Sequence, residues 1–163
     1  MPLIESSVTA LALWAVIGYL MGSVPFGMVL ARVMNLGNLR NIGSGNIGAT
    51  NVLRTGNKTA AALTLLLDAA KGAAALLRAR AITGAEDAAQ IAGLAAMFGH
   101  CYPVWLRFNG GKGVATFLGL LLALHFPVGV GACVAWLIGA GLSRMSSMGA
   151  LVSAASSTVF MTY

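Results

Sequence analysis

The residues best suited to chemistry lie in a glycine- and asparagine-rich stretch between residues 43 and 54. Glycines permit positive φ angles and let backbone N–H groups approach an anion closely. Hydroxyls, amides and a planar guanidinium also bind phosphate, and a helix starting near Ala49 would add its N-terminal dipole. A flexible loop is the alternative, but residues 35–59 contain no acid, which favours a phosphate site. Its candidates are Gly43, Ser44, Gly45, Asn46, Gly48, Thr50, Asn51 and Arg54.

A second glycine-rich stretch, residues 107–113, has the same ingredients and one lysine. It does not form a Walker A motif, because Lys112 is followed by Gly113 and not by Ser or Thr, so a nucleotide hydrolase is disfavoured. His100 precedes it and either binds substrate, moves a proton or is a structural residue at a helix end. His, Cys and carboxylate residues do not cluster, so we expect no metal. The candidates here are His100, Gly110, Gly111, Lys112 and Gly113.

Two further polar groups interrupt apolar sequence. Asp68 and Lys71 are three residues apart in a predicted helix, so they share one face and can form a pair. Charges inside a membrane face the protein interior or a cavity; structural pairing is the favoured interpretation, with a direct substrate role as the alternative. Ser146 and Ser147, next to Arg144, indicate only a polar helix end when taken alone.

The composition indicates what surrounds these residues. Of 163 residues, 58% are hydrophobic and 9% are charged, with a net charge of +6. Soluble domains carry charge at about a quarter of their positions. We therefore predict an all-α, polytopic integral membrane bundle, with residues 1–163 forming one domain surrounded by lipid. In a membrane protein the positive charge reports orientation, so we expect no nucleic acid partner and no cofactor.

Hydropathy predicts about five to six helices, several of them short or broken. Pro25 should kink the first apolar segment between Ser23 and Gly27, because proline removes a backbone donor. His125 to Pro127 should divide another segment into two short helices. A mixed-charge turn is expected over residues 78–87. The apolar segments are 8–34, 60–77, 88–106, 114–142 and a last one from 148.

Charge in the connecting loops predicts the orientation. Residues 35–59 hold three basic residues and no acid, and residues 107–113 hold two basic residues. Short cytoplasmic loops are enriched in Lys and Arg. Both glycine-rich stretches are therefore expected in the cytoplasm and the N-terminus outside, in a bacterial inner membrane.

Together the motifs resemble a known family. They occur in the family's order along nearly the whole chain and closely resemble the bacterial acyl-phosphate:glycerol-3-phosphate acyltransferases, the PlsY family. The matching residues are Gly22, Ser23, Pro25 and Gly27, then Gly43 to Arg54, then Asp68, Lys71 and Gly72, then Gly99, His100 and Pro103, then Gly110 to Thr116.

The resemblance implies a seven-helix enzyme with its active site at the cytoplasmic face. Such an enzyme transfers the acyl group of an acyl phosphate to the sn-1 hydroxyl of glycerol 3-phosphate. It implies catalytic roles for Ser44, Arg54 and Lys112, with Ser146 and Ser147 reaching glycerol 3-phosphate. The family closes with a seventh helix and a basic motif bearing His and Asn. With the segment 114–142 counted as two helices, this chain stops inside its sixth predicted helix, so we expect it to be truncated at the C-terminus.

Two other function classes fit parts of the sequence. A transporter or channel for a phosphorylated anion would also contain helix breaks and a buried Asp–Lys pair. A non-catalytic membrane scaffold is the third possibility. The sequence shows no internal repeat and places its anion-binding features at one membrane face, which favours the enzyme.

Overall fold

The computed structural model describes residues 4–161, and all the regular structure in that range is helical. The expected all-α class is confirmed. Short 3-10 turns at Leu39–Asn41 and Val104–Leu106 lie in the two glycine-rich connections. The α-helices are α1 (Val8–Gly22), α2 (Phe26–Val33), α3 (Ala49–Leu53), α4 (Lys58–Thr83), α5 (Glu86–Cys101), α6 (Val114–Leu124), α7 (Phe126–Ser143) and α8 (Ser146–Phe160).

Both predicted helix breaks are confirmed. Helix α1 ends at Gly22, and α2 begins at Phe26 with Pro25 as its N-cap. His125 separates α6 from α7, and proline stands in the first turn of α7. Proline fits a first helical turn, where its missing N–H has no partner to lose. In both places proline therefore starts a new helix.

The expected turn over residues 78–87 is wrong in its extent. Helix α4 continues to Thr83 and α5 begins at Glu86, so the turn consists only of Gly84, with φ +67°, and Ala85. Arg80 lies in the last turn of α4, where its guanidinium donates to the Ala123 carbonyl at 3.0 Å and pairs with Glu86 at 2.6 Å. Charge alone suggested a loop, whereas the left-handed glycine marks the real helix end.

Small residues let α1 and α5 pack with their backbones in direct contact. A Cβ added to Gly18 would overlap the carbonyl oxygen of Ala92, and one added to Gly22 would overlap that of Ala96. Glycines four residues apart permit this close helix contact.

The bundle has lipid-facing surfaces. Three helical stretches, Val8–Val33, Lys58–Thr83 and Phe126–Ser143, are long and apolar enough to cross a membrane. Large hydrophobic side chains point outward along them, and Leu66 and Leu137 are more than 60% exposed. Such surfaces are typical of helices that face lipid. The predicted outside location of the N-terminus and the expected truncation at Tyr163 concern residues beyond the described range.

Two helix groups enclose the site. Helix α4 packs against α5 and α6, and the Thr116 hydroxyl donates to the Asp68 carbonyl at 2.9 Å. Helices α7 and α8 form a hairpin, in which Ser153 donates to the Ala132 carbonyl at 2.8 Å. A cavity lies between α3–α4 on one side and α6–α8 on the other.

Candidate active site

The first glycine-rich loop is organised by Asn51. Its amide nitrogen donates to the carbonyls of Leu39 at 2.9 Å and Asn46 at 2.8 Å, and its Oδ1 accepts the Ser44 N–H at 3.2 Å. The side chain is 2% exposed. Asn51 therefore uses both amide hydrogens within the protein and holds Ser44 at the cavity.

The glycines of this loop make space. Gly43 has φ +52°, and a Cβ there would lie 2.6 Å from the Arg54 Cδ and 2.7 Å from the Asn51 Oδ1. Gly45 has φ +66° and packs on the Arg40 carbonyl. Gly48 is the N-cap of α3, which begins at Ala49 as expected. Gly43 thus leaves room for the Arg54 guanidinium.

The second glycine-rich loop folds back onto the end of α5. The Gly110 N–H donates to the Cys101 carbonyl at 3.0 Å, and the Gly111 N–H donates to the His100 carbonyl at 3.1 Å. A Cβ on Gly111 would overlap the His100 Nε2. The amides of Gly110 and Gly111 are therefore occupied by carbonyls and unavailable to a phosphate.

The two loops meet at a cavity of about 920 Å³. The structure brings most of the predicted candidates to its wall. Gly43, Gly45, Gly110 and Gly111 lie outside the wall and shape the loops from behind. The predicted residues that line the cavity are Ser44, Asn46, Gly48, Thr50, Asn51, Arg54, His100, Lys112, Gly113, Ser146 and Ser147.

Sequence reasoning did not assign three polar residues to this wall: Lys58, Asp68 and Arg144. Lys58 belongs to the acid-free stretch and Arg144 adjoins the two serines. Their proximity to these motifs in the sequence is the one feature that could have predicted their place on the wall. With Arg54 and Lys112, these two basic residues make four exposed cations at the cavity. Among the described residues, Asp68 is the single acid on the wall, so the site attracts anions.

Asp68 and Lys71 form the predicted pair. The Lys71 Nζ lies 2.8 Å from the Asp68 Oδ1 and donates to the Val24 carbonyl at 2.8 Å. That carbonyl lies at the break between α1 and α2, where it also accepts the Phe26 N–H at 3.1 Å. The His100 Nδ1 lies 3.7 Å from the same Asp68 oxygen, and all three charged or polar side chains are less than 7% exposed. The pair thus joins the helix break to the cavity.

One stripe of α4 runs along the cavity from its open end to its depth. The stripe contains Lys58, Ala61, Ala62, Leu65 and Asp68, which have helical spacing. Opposite it, Trp136, Leu137 and Ala140 of α7 form an apolar wall. The Thr50 hydroxyl donates to the Ser146 Oγ at 3.2 Å and connects the first loop to the start of α8. The cavity is therefore cationic at one end and apolar along its side.

Comparison with known proteins identifies the family. Residues 12–163 match the family model described as glycerol-3-phosphate acyltransferase. The chain belongs to the glycerol-3-phosphate acyltransferase family. The PlsY resemblance is confirmed, and the chain is a multi-pass membrane acyltransferase.

Relatives and solved structures support this placement. The glycerol-3-phosphate acyltransferase of Roseobacter denitrificans is 76% identical over 151 residues, covering 93% of this chain and 75% of the relative. That of Ruegeria pomeroyi is 67% identical over 161 residues, covering 99% and 79%. Among solved structures, the glycerol 3-phosphate form of the integral membrane enzyme PlsY matches with a TM-score of 0.86 at 37% identity, covering 93% and 76%. Its lysophosphatidic acid form matches with a TM-score of 0.82 at 34% identity, covering 93% and 75%.

Proposed function

We propose that this acyltransferase moves a fatty acyl group from an acyl phosphate to the sn-1 hydroxyl of glycerol 3-phosphate. The products are lysophosphatidic acid and inorganic phosphate, the first step of phospholipid synthesis. One observation carries the proposal. A single cavity combines four exposed cations with an apolar wall, which suits two phosphorylated reactants of which one carries a fatty chain. PlsY, which shares the fold, has been solved with glycerol 3-phosphate and with lysophosphatidic acid.

The cations neutralise the reactants and hold them together. Arg54 presents a planar fork that binds two phosphate oxygens, and Lys112 presents a point charge. The Lys112 ammonium forms no hydrogen bond or ion pair within residues 4–161, so its three donors are free for a ligand. Two anions repel each other strongly, and screening that repulsion while fixing their geometry provides most of the catalysis required.

The polar residues around these cations orient the substrates. Ser44, held by Asn51, and Asn46 face the acyl phosphate. Ser146 and Ser147 face glycerol 3-phosphate from the start of α8, and His100 borders the pocket from α5. The fatty chain lies along Trp136, Leu137 and Ala140.

The chemical step requires no enzyme nucleophile. The sn-1 oxygen of glycerol 3-phosphate forms a bond to the acyl carbonyl carbon, and the bond from that carbon to the phosphate oxygen breaks. The departing phosphate takes the hydroxyl proton. An acyl phosphate is already activated, so a serine–histidine pair is unnecessary. Isolation of a covalent acyl-Ser44 intermediate would refute this mechanism.

The activity is tested with purified protein, palmitoyl phosphate and labelled glycerol 3-phosphate. We expect lysophosphatidic acid and phosphate to appear in equal amounts, with palmitoyl-CoA inactive as the donor. Ser44→Ala, Arg54→Ala and Lys112→Ala should each abolish most of the product while the protein remains folded. Product formed from palmitoyl-CoA alone would contradict the donor assignment, and a protein that only transports labelled glycerol 3-phosphate into vesicles would contradict the enzyme.

We further propose that the site faces the cytoplasm of the bacterial inner membrane, with the N-terminus outside. A membrane-impermeant maleimide tests this on single cysteines placed at Asn41, Phe108 or Ala81, with Cys101 and Cys133 replaced by Ser. All three positions are exposed. Asn41 and Phe108 should react only after permeabilisation and Ala81 in intact spheroplasts. Reaction of Asn41 and Phe108 on opposite sides would exclude a shared pocket.

A further inference from the structure

Arg40 joins the two glycine-rich loops without lining the cavity. Its Nη1 donates to the Gly45 carbonyl at 3.0 Å and lies 3.5 Å from the Asn109 Oδ1. Its Nη2 donates to the Asn109 carbonyl. Gly45 stands between Ser44 and Asn46, and Asn109 stands three residues before Lys112. We propose that Arg40 is a positioning residue that fixes the separation of the two loops, and, given the proposed function, the separation of the two phosphorylated reactants.

The local fold directs Arg40 into this place. It lies in the 3-10 turn Leu39–Asn41, where its N–H donates to the Asn38 side chain at 3.0 Å. Leu39 is 1% exposed and packs in a core cluster with Val52, and its carbonyl accepts from Asn51. The turn is therefore anchored on one side by a buried leucine. Arg40 projects from the other side toward the second loop.

The chemistry of the contact requires arginine. Within the described residues Arg40 has no carboxylate partner, and its guanidinium is held by carbonyl oxygens of two separate loops. A guanidinium donates in fixed, divergent directions, so it can hold two acceptors at a set spacing. A lysine ammonium would keep the charge but not the spacing. The clamp also leaves a positive charge beside the anion site.

The separation of the loops matters because the reaction needs both reactants at bonding distance. Displacement by about 1 Å reduces rates by about a hundredfold. Without Arg40, the second loop would still be attached to α5 through Gly110 and Gly111, and the first loop would still be organised by Asn51. Each binding loop would persist, but the relation between them would loosen.

The kinetic test compares Arg40→Ala with Arg32→Ala, a matched loss of a nearby exposed arginine outside the site. We expect Arg40→Ala to lower kcat about a hundredfold, with a smaller change in the KM for glycerol 3-phosphate. Arg40→Lys should be intermediate, and Asn109→Ala, which removes only the 3.5 Å contact, should lose less. If Arg40→Ala does not fold, the kcat of Arg40→Lys is compared with that of Arg32→Ala instead. Equal kcat values for Arg40→Ala and Arg32→Ala would overturn the proposal.

A second measurement does not depend on turnover. Spin labels at Asn41→Cys and Phe108→Cys, with Cys101 and Cys133 replaced by Ser, report the distance between the loops. We expect one narrow distance distribution with Arg40 present and a broader one in Arg40→Lys and Arg40→Ala. An unchanged distribution in both would overturn the clamp even if the enzyme is active. A broadened distribution in a protein that makes no lysophosphatidic acid would support the clamp while the proposed function fails.

Discussion

The ammonium of Lys71 lies 2.8 Å from a carboxylate oxygen of Asp68, one helical turn away inside α4. Both side chains are less than 7% exposed. Each partner neutralises a charge that would otherwise be isolated within the membrane. Lys71 also supplies a second donor to the Val24 carbonyl at the helix break, beside the Phe26 N–H. The pair therefore connects the cavity wall to the kink of the first membrane segment.

Removing one partner of this pair should be worse than removing both. We expect Lys71→Met to destabilise the protein by about 3–5 kcal/mol, because it leaves the Asp68 carboxylate buried and unpaired. The double variant Asp68→Leu/Lys71→Met should recover part of that loss. It should not recover all of it, because the hydrogen bond from Lys71 to the Val24 carbonyl is still missing. Thermal unfolding in detergent measures both. A double variant less stable than Lys71→Met would show that the pair is not the source of the effect.

Arg54→Lys tests whether phosphate is bound by a fork or by charge alone. We expect kcat/KM to fall about tenfold to a hundredfold, the equivalent of one charged hydrogen bond, with little change in stability. Lys58→Arg, on the same cavity wall, is the control in the reverse direction, because it keeps the charge and adds a guanidinium. It should retain most activity. Full activity of Arg54→Lys would contradict the bidentate contact.

Gly43→Ala should inactivate the enzyme through Arg54. A methyl group at Gly43 would occupy the space of the Arg54 side chain, 2.6 Å from its Cδ. Gly37→Ala is the matched control, because Gly37 also has a positive φ of +82° but has open space around it. Both variants should lose about 1–2 kcal/mol from the left-handed conformation, and only Gly43→Ala should lose activity. In an Arg54→Ala background Gly43→Ala should cost less activity than it does alone, because only its contact with Asn51 remains, as a kinetic double-mutant cycle would reveal.

Asp87 should attach the N-terminal segment to α5 in a pH-dependent way. Hydrogen bonds from the Ser6 backbone N–H and hydroxyl lower the pKa of Asp87 from its ordinary value of 3.8 to about 2. A lowered pKa stabilises the folded state above the ordinary value, and the contribution is lost as the pH falls from about 4 through about 2. Hydrogen exchange of the segment around Ser6 measures this attachment.

The control for this attachment is Asp87→Asn measured at each same pH. The variant should already exchange rapidly at neutral pH, and the difference from the wild type should vanish only below about pH 2. Equal protection of Ser6 in the two proteins at pH 7 would contradict the role of Asp87.

Much of the fold could be predicted because its signals are local. Pro25 and His125 to Pro127 interrupt apolar segments. Proline is tolerated in the first turn of a helix but breaks its interior, so each interruption predicts a helix boundary. The pairing of Asp68 with Lys71 follows from helical spacing alone. The end of α4 was misplaced because charges on Arg78 and Arg80 suggested a loop; in the fold Arg80 is stabilised by Ala123 and Glu86, which are not part of α4.

The site was less accessible to sequence reasoning because a glycine can serve two purposes. It can offer an amide to a ligand or make room for a neighbour, and the residue type does not distinguish them. Gly43 and Gly111 make room for Arg54 and His100, which only the folded chain shows. The role of Arg40 could not be predicted from the sequence either. It contacts Gly45 nearby, but its other partner, Asn109, is 69 positions away.

The stripe of α4 from Lys58 to Asp68 also sets how deep the cavity reaches. The ten residue-to-residue steps from Lys58 to Asp68 extend about 15 Å, which is half of a hydrocarbon core about 30 Å thick. If Lys58 lies at the edge of the hydrocarbon core, the apolar wall reaches about as far as the bilayer midplane. An enzyme of this shape would release its product into a single leaflet, so new lipid would enter the membrane asymmetrically and a separate process would be needed to balance the two sides.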